Sequence, residues 1–483
     1  MQNVAMRIGG RDAGSADGRH YEKRNPYTGE LVARVPDAGP LDAVAAVGAA
    51  SAAFREWSKT PPSKRRAILW KAAELLEARA QHVAKTMTAE TGSTFGWGMF
   101  NTFFAAGMMR EAAAATTQVT GEVIPSDIPG NIAMGVRQPV GVVVGIAPWN
   151  APMILGVRAV AVPLAVGNTV VLKASEETPM THRIIGEVLE EAGIPAGAIN
   201  VLTTSREGAA AAVDALIADP RVKRINFTGS THVGKIIAEK AARFLKPVLL
   251  ELGGKAPLVV LDDADLEEAA AAANFGAFMH QGQICMSTER LVVQKKVVEP
   301  FVKLLVKRAK ALKVGDPADP QTQIGAMISE RAAARVSDLV ADAKKRGARI
   351  LCGGEAKGVM FPPTVIDKVT PEMRIYREES FGPVVIVVPV HDDEEAIRSA
   401  NDTEYGLTAA VFSRNLDRAY AVAERIESGI CHINGSTVAD EPQMPFGGVK
   451  MSGHGRFGGR AGINEFTELR WITIQTGHRH YPI

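Results

Sequence analysis

Cysteine is scarce in this chain: Cys285, Cys352 and Cys431 are the only three among 483 residues, with no Cys-x-x-Cys pair and no histidine at metal-ligand spacing. An odd number of scattered thiols argues against a disulfide framework, and no metal is expected. Charge of one sign is scarce as well. The formal net charge is +2, with basic and acidic residues interleaved, so no cationic block is present to grip a nucleic acid. Apolar runs such as 142–147 and 159–166 are broken by Pro, Asn or Arg well short of the roughly 20 residues that a membrane helix needs. The opening segment MQNVAMRIGGRDAG lacks the apolar core of a secretory leader. These absences point to a soluble, cytoplasmic protein with neither nucleic-acid nor membrane partners.

What is present is an ordinary globular composition, 46% hydrophobic and 22% charged. A chain of 483 residues exceeds the size at which one core keeps growing, so two large domains are expected. Between residues 40 and 120, LDAVAAVGAASAAFREW and RRAILWKAAELLEARAQHVAKTM repeat apolar positions at three and four, which predicts helices parted at Pro61 and Pro62. From Gly141 the texture changes. Short β-rich runs (GVVVGIAP, NTVVLK, AINVLT, RINFTG, PVLLEL) alternate with amphipathic helical stretches, the pattern of a parallel sheet covered on both faces.

The alternation resumes after Gly254 with PLVVLDD, RLVVQ, VVIVVPV, AAVFS and ICHIN, giving a second α/β domain. The Gly-Gly of LELGGK is the expected crossing point, because adjacent glycines let the backbone turn sharply. Two further segments, QVTGEVIPSDIPGNIAMGVRQP and NEFTELRWITIQT, alternate like strands and are expected to pair with each other or with another subunit.

Several residues sit where chemistry is done. HQGQICMSTERL places Cys285 in a glycine-containing turn between helix and strand, where a thiol can face a cleft; otherwise it is an inert small apolar residue. LELGGK sets Glu251 at the carboxyl end of an apolar strand, where α/β sheets bind ligands, unless backbone amides satisfy it there. INFTGSTHVGK reads as strand, glycine turn and helix, with Ser230 and backbone amides suited to a phosphate, although GSTHVG is not a GxGxxG fingerprint. Lys173 and Glu176 follow the strand TVVLK, able to grip ribose hydroxyls or to form a solvated ion pair. Asn150 of PWN is placed to aim an amide at an oxyanion or to cap the following helix.

Taken in order from NPYTGE to PFGGVKMSGHGR, these motifs resemble the aldehyde dehydrogenase superfamily over essentially the whole chain. INFTGSTHVG, LVVLDDADLE, GQICMSTERL, MRIYREESFGP and CHINGSTV look most like its salicylaldehyde, vanillin and benzaldehyde dehydrogenases. The resemblance implies a Rossmann-like NAD-binding domain over 1–116 and 140–253. It further implies an α/β catalytic domain over 254–462 and a small β oligomerisation element over 117–139 and 463–483, in a homodimer or homotetramer. It implies NAD as cofactor and an aromatic aldehyde as substrate.

By the same resemblance Cys285 is the nucleophile, passing through a thiohemiacetal and a thioester, Glu251 the general base, and Asn150 the oxyanion donor beside the Cys285 backbone N–H. Lys173 and Glu176 match the adenosine-ribose positions, and Gly229 and Ser230 the pyrophosphate turn. Trp149 and Leu252 adjoin the cofactor, and Glu379 and Phe381 hold the nicotinamide ribose and ring. Trp97, Phe100, Met286 and Phe446 fall where the family lines its substrate tunnel, unless the Phe and Met stripe near Trp97 is plain helix core. Arg158, two helical turns beyond Asn150, either bonds a ring oxygen or serves as the buried partner of a carboxylate.

Cys352 and Cys431 match no catalytic motif. Ala174 stands where proline is frequent in the family and Ala159 where many members have lysine. The alternatives are an aliphatic or semialdehyde dehydrogenase, an acylating enzyme that Glu251 argues against, and a catalytically silent binding protein on the same fold.

Overall fold

The computed structural model describes residues 2–483. After a small three-stranded sheet come the helices Pro40–Trp57, Pro62–Ala78, Ala80–Thr91 and Phe95–Ala115. The long helix predicted beyond Pro62 is in fact two, broken at Arg79 (φ −98°, ψ 10°), where no glycine or proline stands. Both halves bury the same kind of stripe, Leu69, Ala72, Ala73 and Leu76 and then Val83, Ala84 and Met87, so apolar periodicity runs across the break unmarked. Arg79 itself turns outward to an ion pair with Glu191, a tertiary contact that local pattern cannot foresee.

The first large sheet has five parallel strands in the spatial order Val248–Glu251, Val222–Thr228, Val142–Ile146, Thr169–Lys173 and Ile199–Leu202. Short antiparallel strands, Gly453–His454 at one edge and Met6–Ile8 with Arg11–Ala13 at the other, extend it. The three strands from 142 to 202 are buried at every position, which is why they are rich in Val, Ile and Leu rather than alternating apolar with polar residues. Helix Pro152–Ala165 packs with Val143, Val170 and Leu172 on one face, and helix Pro40–Trp57 with Val142, Val144 and Val171 on the other. Each such Val or Leu removed from water contributes about 1.5–3 kcal/mol against chain entropy.

Chain order along this sheet reverses between Val142–Ile146 and Val222–Thr228, the first and fourth of the five strands. A crevice opens at the carboxyl ends of strands wherever that happens. The second sheet has seven strands in the order Arg349–Cys352, Thr364–Asp367, Val384–Val390, Thr288–Gln294, Ala256–Val260, Thr408–Phe412 and Ile430–Ile433, parallel except for the first pair.

The chain crosses between the sheets through Leu252, Gly253, Gly254 and Lys255. A Cβ on Gly254 would stand 2.4 Å from the Cys285 carbonyl oxygen, so only glycine lets this crossing lie against the cysteine loop.

The two remaining β-like segments pair with each other. Asn131–Pro139 lies antiparallel to Thr467–Gln475 in register from Thr467 opposite Pro139 to Gln475 opposite Asn131, with Glu122–Ile124 beyond it. Leu469, Trp471 and Ile474 on this small sheet are exposed. Among the described residues no helix is long and apolar enough to cross a membrane, and no cluster of His, Cys, Asp and Glu could hold a metal.

Candidate active site

Cys285 lies between the short helical turn Met279–Gly282 and the strand Thr288–Gln294. Three consecutive residues there, His280 (φ 49°), Gln281 (φ 55°) and Gly282 (φ 66°), are left-handed, a conformation that side-chain-bearing residues adopt only when their surroundings enforce it. The enforcing contacts are visible. Gln281 Nε2 donates to the Ala326 carbonyl at 2.8 Å, Gln283 Oε1 accepts from the Ile328 N–H at 3.0 Å, and the Ser287 hydroxyl donates to the Gly282 carbonyl at 3.0 Å. Thr437 donates to the Met286 carbonyl at 2.8 Å, and the His280 ring stacks on Trp97 with centroids 4.7 Å apart. The loop is therefore locked from several elements, which fixes where the thiol points.

Asn150 is buried and its Nδ2 donates to the Gln283 carbonyl at 2.9 Å, two residues from Cys285. It is not the cap of helix Pro152–Ala165; Ala151 holds that position. One amide hydrogen is thus engaged in tying Asn150 to the cysteine loop, and a primary amide carries a second. Trp97 Nε1 in turn donates to the Asn150 carbonyl at 3.0 Å.

Glu251, the last residue of its strand, is fully buried, and no protein donor reaches either carboxylate oxygen. Backbone amides do not satisfy it. Burial pushes its pKa up to about 7, opposed by the nearby Cys285 thiol and then by the charge of Arg158. The Cys285 thiol is held well above its ordinary value, first by desolvation and then by the Glu251 charge. Both groups bound a cavity of about 220 Å³ together with Trp149, Asn150, Thr228, Gly229 and Ser230. Those residues sit at the carboxyl ends of Val142–Ile146 and Val222–Thr228, where the strand order reverses.

Glu379 and Phe381 close the far wall of the same cavity. Glu379 accepts from the Gly254 N–H at 3.0 Å and is pushed up to about 7, chiefly by burial and then by the neighbouring Glu289. Glu289, ion-paired with buried Lys255, accepts the backbone N–H groups of Ser380 and Phe381 and so holds that wall in place. Phe381 meets Trp149 edge-on with ring centroids 5.7 Å apart. Ser230 caps helix Thr231–Ala242 by accepting from the Val233 N–H. A Cβ on Gly253 would stand 2.8 Å from Glu379 Oε2, so a side chain at this position would crowd the Glu379 carboxylate.

Lys173 and Glu176 lie apart from the thiol. Lys173 Nζ is 3.7 Å from Glu176, which also stands 3.6 Å from Arg206 on the wall of a separate surface cavity. Leu252 is buried beneath Gly234 and does not line the thiol cavity.

A second cavity, of about 440 Å³, shares Asn150, Leu155 and Cys285 with the first, so the thiol stands at their junction. Trp97, Phe100, Arg158, Met286 and Phe446 all line it, with Phe104, Ile154, Phe275 and Val438 filling the remaining wall. Arg158 takes both of its foreseen places at once: it lines this cavity and is ion-paired with Asp440. Asp440 carries no sequence signal of its own, being 282 residues away from Arg158. Leu155, one turn before Arg158 on the same helix, could have been found from that spacing. Glu289 could not, because its role is to hold backbone amides about 90 residues further on.

Residues 13–472 match the aldehyde dehydrogenase family. A vanillin dehydrogenase of Pseudomonas sp. (strain HR199 / DSM 7063) is 58% identical over 483 residues, the whole of both chains. The benzaldehyde dehydrogenase [NAD(+)] of Pseudomonas putida is 41% identical over 460 residues, 95% of this chain and 94% of its own. The crystal structure of a salicylaldehyde dehydrogenase from Pseudomonas putida G7 complexed with salicylaldehyde superposes with a TM-score of 0.98, at 46% identity and covering all of both chains.

Proposed function

The chain belongs to the aldehyde dehydrogenase family, whose members oxidise aldehydes to acids, and we propose that its substrate is a compact aromatic aldehyde oxidised through a thioester on Cys285. The observation that carries this reading is the placement of Cys285. It stands at the junction of a polar cavity holding an unpartnered Glu251 and a larger cavity walled by Trp97, Phe100, Met286 and Phe446. Flat and polarizable side chains of that kind pack against a ring. Relatives named for vanillin, salicylaldehyde and benzaldehyde support the same class.

The residues of the smaller cavity fit a dinucleotide: a glycine turn and Ser230 at a helix start suit a pyrophosphate, and buried Glu379 offers an acceptor for ribose hydroxyls. NAD supplies the hydride acceptor. Lys173 and Glu176 would hold its adenosine ribose, and Trp149 and Phe381 would flank its nicotinamide side. The segments 1–116 with 140–253 form the cofactor-binding domain, 254–462 the catalytic domain, and the small sheet of 117–139 with 463–483 joins subunits through its exposed Leu469, Trp471 and Ile474. Free cysteines are in keeping with a reducing cytoplasm.

The chemistry of the chain's own groups follows from their environment. The Cys285 thiol gives its proton to water and its sulfur adds to the aldehyde carbon. The oxyanion that forms accepts hydrogen bonds from Asn150 and the Cys285 N–H, donors each worth about 3–4 kcal/mol of barrier. Once the carbon is oxidised to the thioester, Glu251 takes a proton from water and the water attacks the acyl carbon, releasing acid and thiol. A carboxylate pushed up to about 7 is close to the ideal base at neutral pH.

The test is a panel of aldehydes followed by NADH formation. Benzaldehyde is expected to exceed hexanal and acetaldehyde in kcat/KM by at least about tenfold, the equivalent of about 1.4 kcal/mol of ring packing. A win for the short aliphatic aldehydes would overturn the aromatic assignment and leave the family intact.

A further inference from the structure

Besides lining the larger cavity, the Trp97 side chain makes two contacts that a wall does not need. Its indole Nε1 donates to the backbone carbonyl of Asn150 at 3.0 Å, and its ring lies on that of His280 with centroids 4.7 Å apart and planes 11° from parallel. One side chain thus touches both the residue that offers an amide to the oxyanion and the loop that carries Cys285. Asn150 closes the circuit from its other end, since its Nδ2 donates to the Gln283 carbonyl at 2.9 Å on that same loop.

The Asn150 carbonyl needs such a partner. Helix Pro152–Ala165 begins too late to hold it: the Ala151 carbonyl takes the Leu155 N–H at 2.8 Å, and Pro152 has no N–H to give. Asn150 is nevertheless buried, and a buried carbonyl without a donor is costly. The Trp97 indole supplies the donor from a different helix. The orientation of the Asn150 backbone, and with it the direction of the side chain, therefore rests on a tertiary contact.

Trp97 is itself fixed. It is 6% exposed near the start of helix Phe95–Ala115, its own backbone N–H donates to the Thr94 hydroxyl at 3.3 Å, and its carbonyl accepts from buried Asn101 at 3.1 Å. A Cβ on the next residue, Gly98, would stand 2.5 Å from the Ala84 Cα, so this turn lies directly against helix Ala80–Thr91. Burial lowers the His280 pKa to about 3, which keeps the stacked ring neutral in any ordinary assay.

Resting on the reading of Asn150 as oxyanion donor, we infer that Trp97 is a positioning residue for the oxyanion site: its indole N–H holds Asn150 so that the free amide hydrogen meets the oxygen formed when Cys285 adds to the aldehyde. The ring and the N–H of Trp97 then have separable duties. The ring packs against the substrate and acts on KM and on the choice of aldehyde. The N–H acts through Asn150 on the transition state, for every aldehyde alike.

The experiment replaces Trp97 in two ways and reads the rate of the first NADH turnover, together with KM, for benzaldehyde and for acetaldehyde. Trp97→Phe keeps an aromatic plate. The benzothiophene analogue of tryptophan at the same position keeps the whole ring outline, with sulfur in place of the N–H. Both are expected to slow the first turnover by about tenfold or more, equally for the two aldehydes and with KM in the analogue protein changed less than about threefold, since a misplaced group costs up to about 10²-fold in rate. Made in Asn150→Ala, either change is expected to cost less than about twofold more, because the group it positions is gone.

An unchanged first turnover in the analogue protein, a loss confined to benzaldehyde, or a full further loss in the Asn150→Ala background would each overturn the inference. The last two would leave Trp97 as cavity wall or as a general support of the fold. If Asn150→Ala itself slows the first turnover less than about tenfold, the oxyanion reading falls and takes this inference with it. If Asn150→Ala is slow and the indole changes are silent or additive, this inference falls alone.

Discussion

The Glu251 carboxylate ends a strand of the first sheet, the Cys285 thiol sits on a loop entering the second, and in their shared cavity burial and then the charge of the carboxylate hold the proton on the thiol. The base and the nucleophile are thus delivered by different sheets. Their chemistry depends on the crossing at Gly253 and Gly254 that keeps the two loops together.

Glu251 should make stability depend on pH in a recognisable way. Its folded pKa of about 7 lies above the ordinary 4.5, so below 4.5 both folded and unfolded chains carry the proton and Glu251 contributes nothing to the pH dependence. As pH rises from 4.5 to about 7 the unfolded chain ionises first, and stability falls by about 3 kcal/mol, at 1.36 kcal/mol for each of about 2.5 pH units. Glu251→Gln cannot titrate. Its melting temperature relative to the native protein should climb across that window, as thermal melts from acid to neutral pH would read; a constant difference would mean the carboxylate is better solvated than its burial implies. Thioester hydrolysis should rise around pH 7, where the base form of the folded Glu251 fills.

Asn150→Ala should lower kcat by about 10²–10³-fold with a much smaller change in KM, because an oxyanion donor acts on the transition state. The bond from Asn150 to the Gln283 carbonyl is lost at the same time, so the cysteine loop should become looser to hydrogen exchange. Steady-state kinetics decide the main point. A loss smaller than tenfold would place the oxyanion elsewhere.

Cofactor choice should follow Glu176. Its carboxylate is expected to repel the extra phosphate of NADP, and Glu176→Gln should narrow the preference for NAD. The structure adds Arg206, 3.6 Å from Glu176 and half exposed, a cation placed to offset that repulsion. Arg206→Ala should therefore widen the preference. Measuring kcat/KM with both cofactors tests both variants, and equal values for NAD and NADP in the native protein would show that Glu176 points away from the ribose.

Much of this fold is legible in the sequence because two-sided burial leaves a plain mark. Val142–Ile146 and the Val170–Leu172 core of the neighbouring strand are apolar without interruption, and the glycines of LELGGK stand where the chain changes sheets. The pairing of residues 131–139 with 467–475 is legible as alternation, though not the choice between partners within the chain and partners outside it. The left-handed run at His280 and Gln281 is illegible: nothing in those side chains favours it, and only contacts to Ala326, Ile328 and Trp97 hold it. The Arg158–Asp440 pair is illegible for the same reason, since a buried ion pair between distant segments has no spacing to read. Leu252 shows the converse, a motif position whose side chain turns away from the cavity into the core.

The covalent role of Cys285 is open to direct measurement in Glu251→Gln. Removing that carboxylate takes away a charge that raises the thiol's proton affinity, so acylation should proceed while hydrolysis stalls. Mixed with NAD and benzaldehyde, quenched and digested, the variant should give one NADH per subunit in a burst and a benzoyl group on the Cys285 peptide. The Cys352 and Cys431 peptides should stay unmodified, and Cys285→Ala should give neither burst nor adduct. A full burst with Cys285 unmodified, or an adduct on either of the other cysteines, would contradict the thioester mechanism.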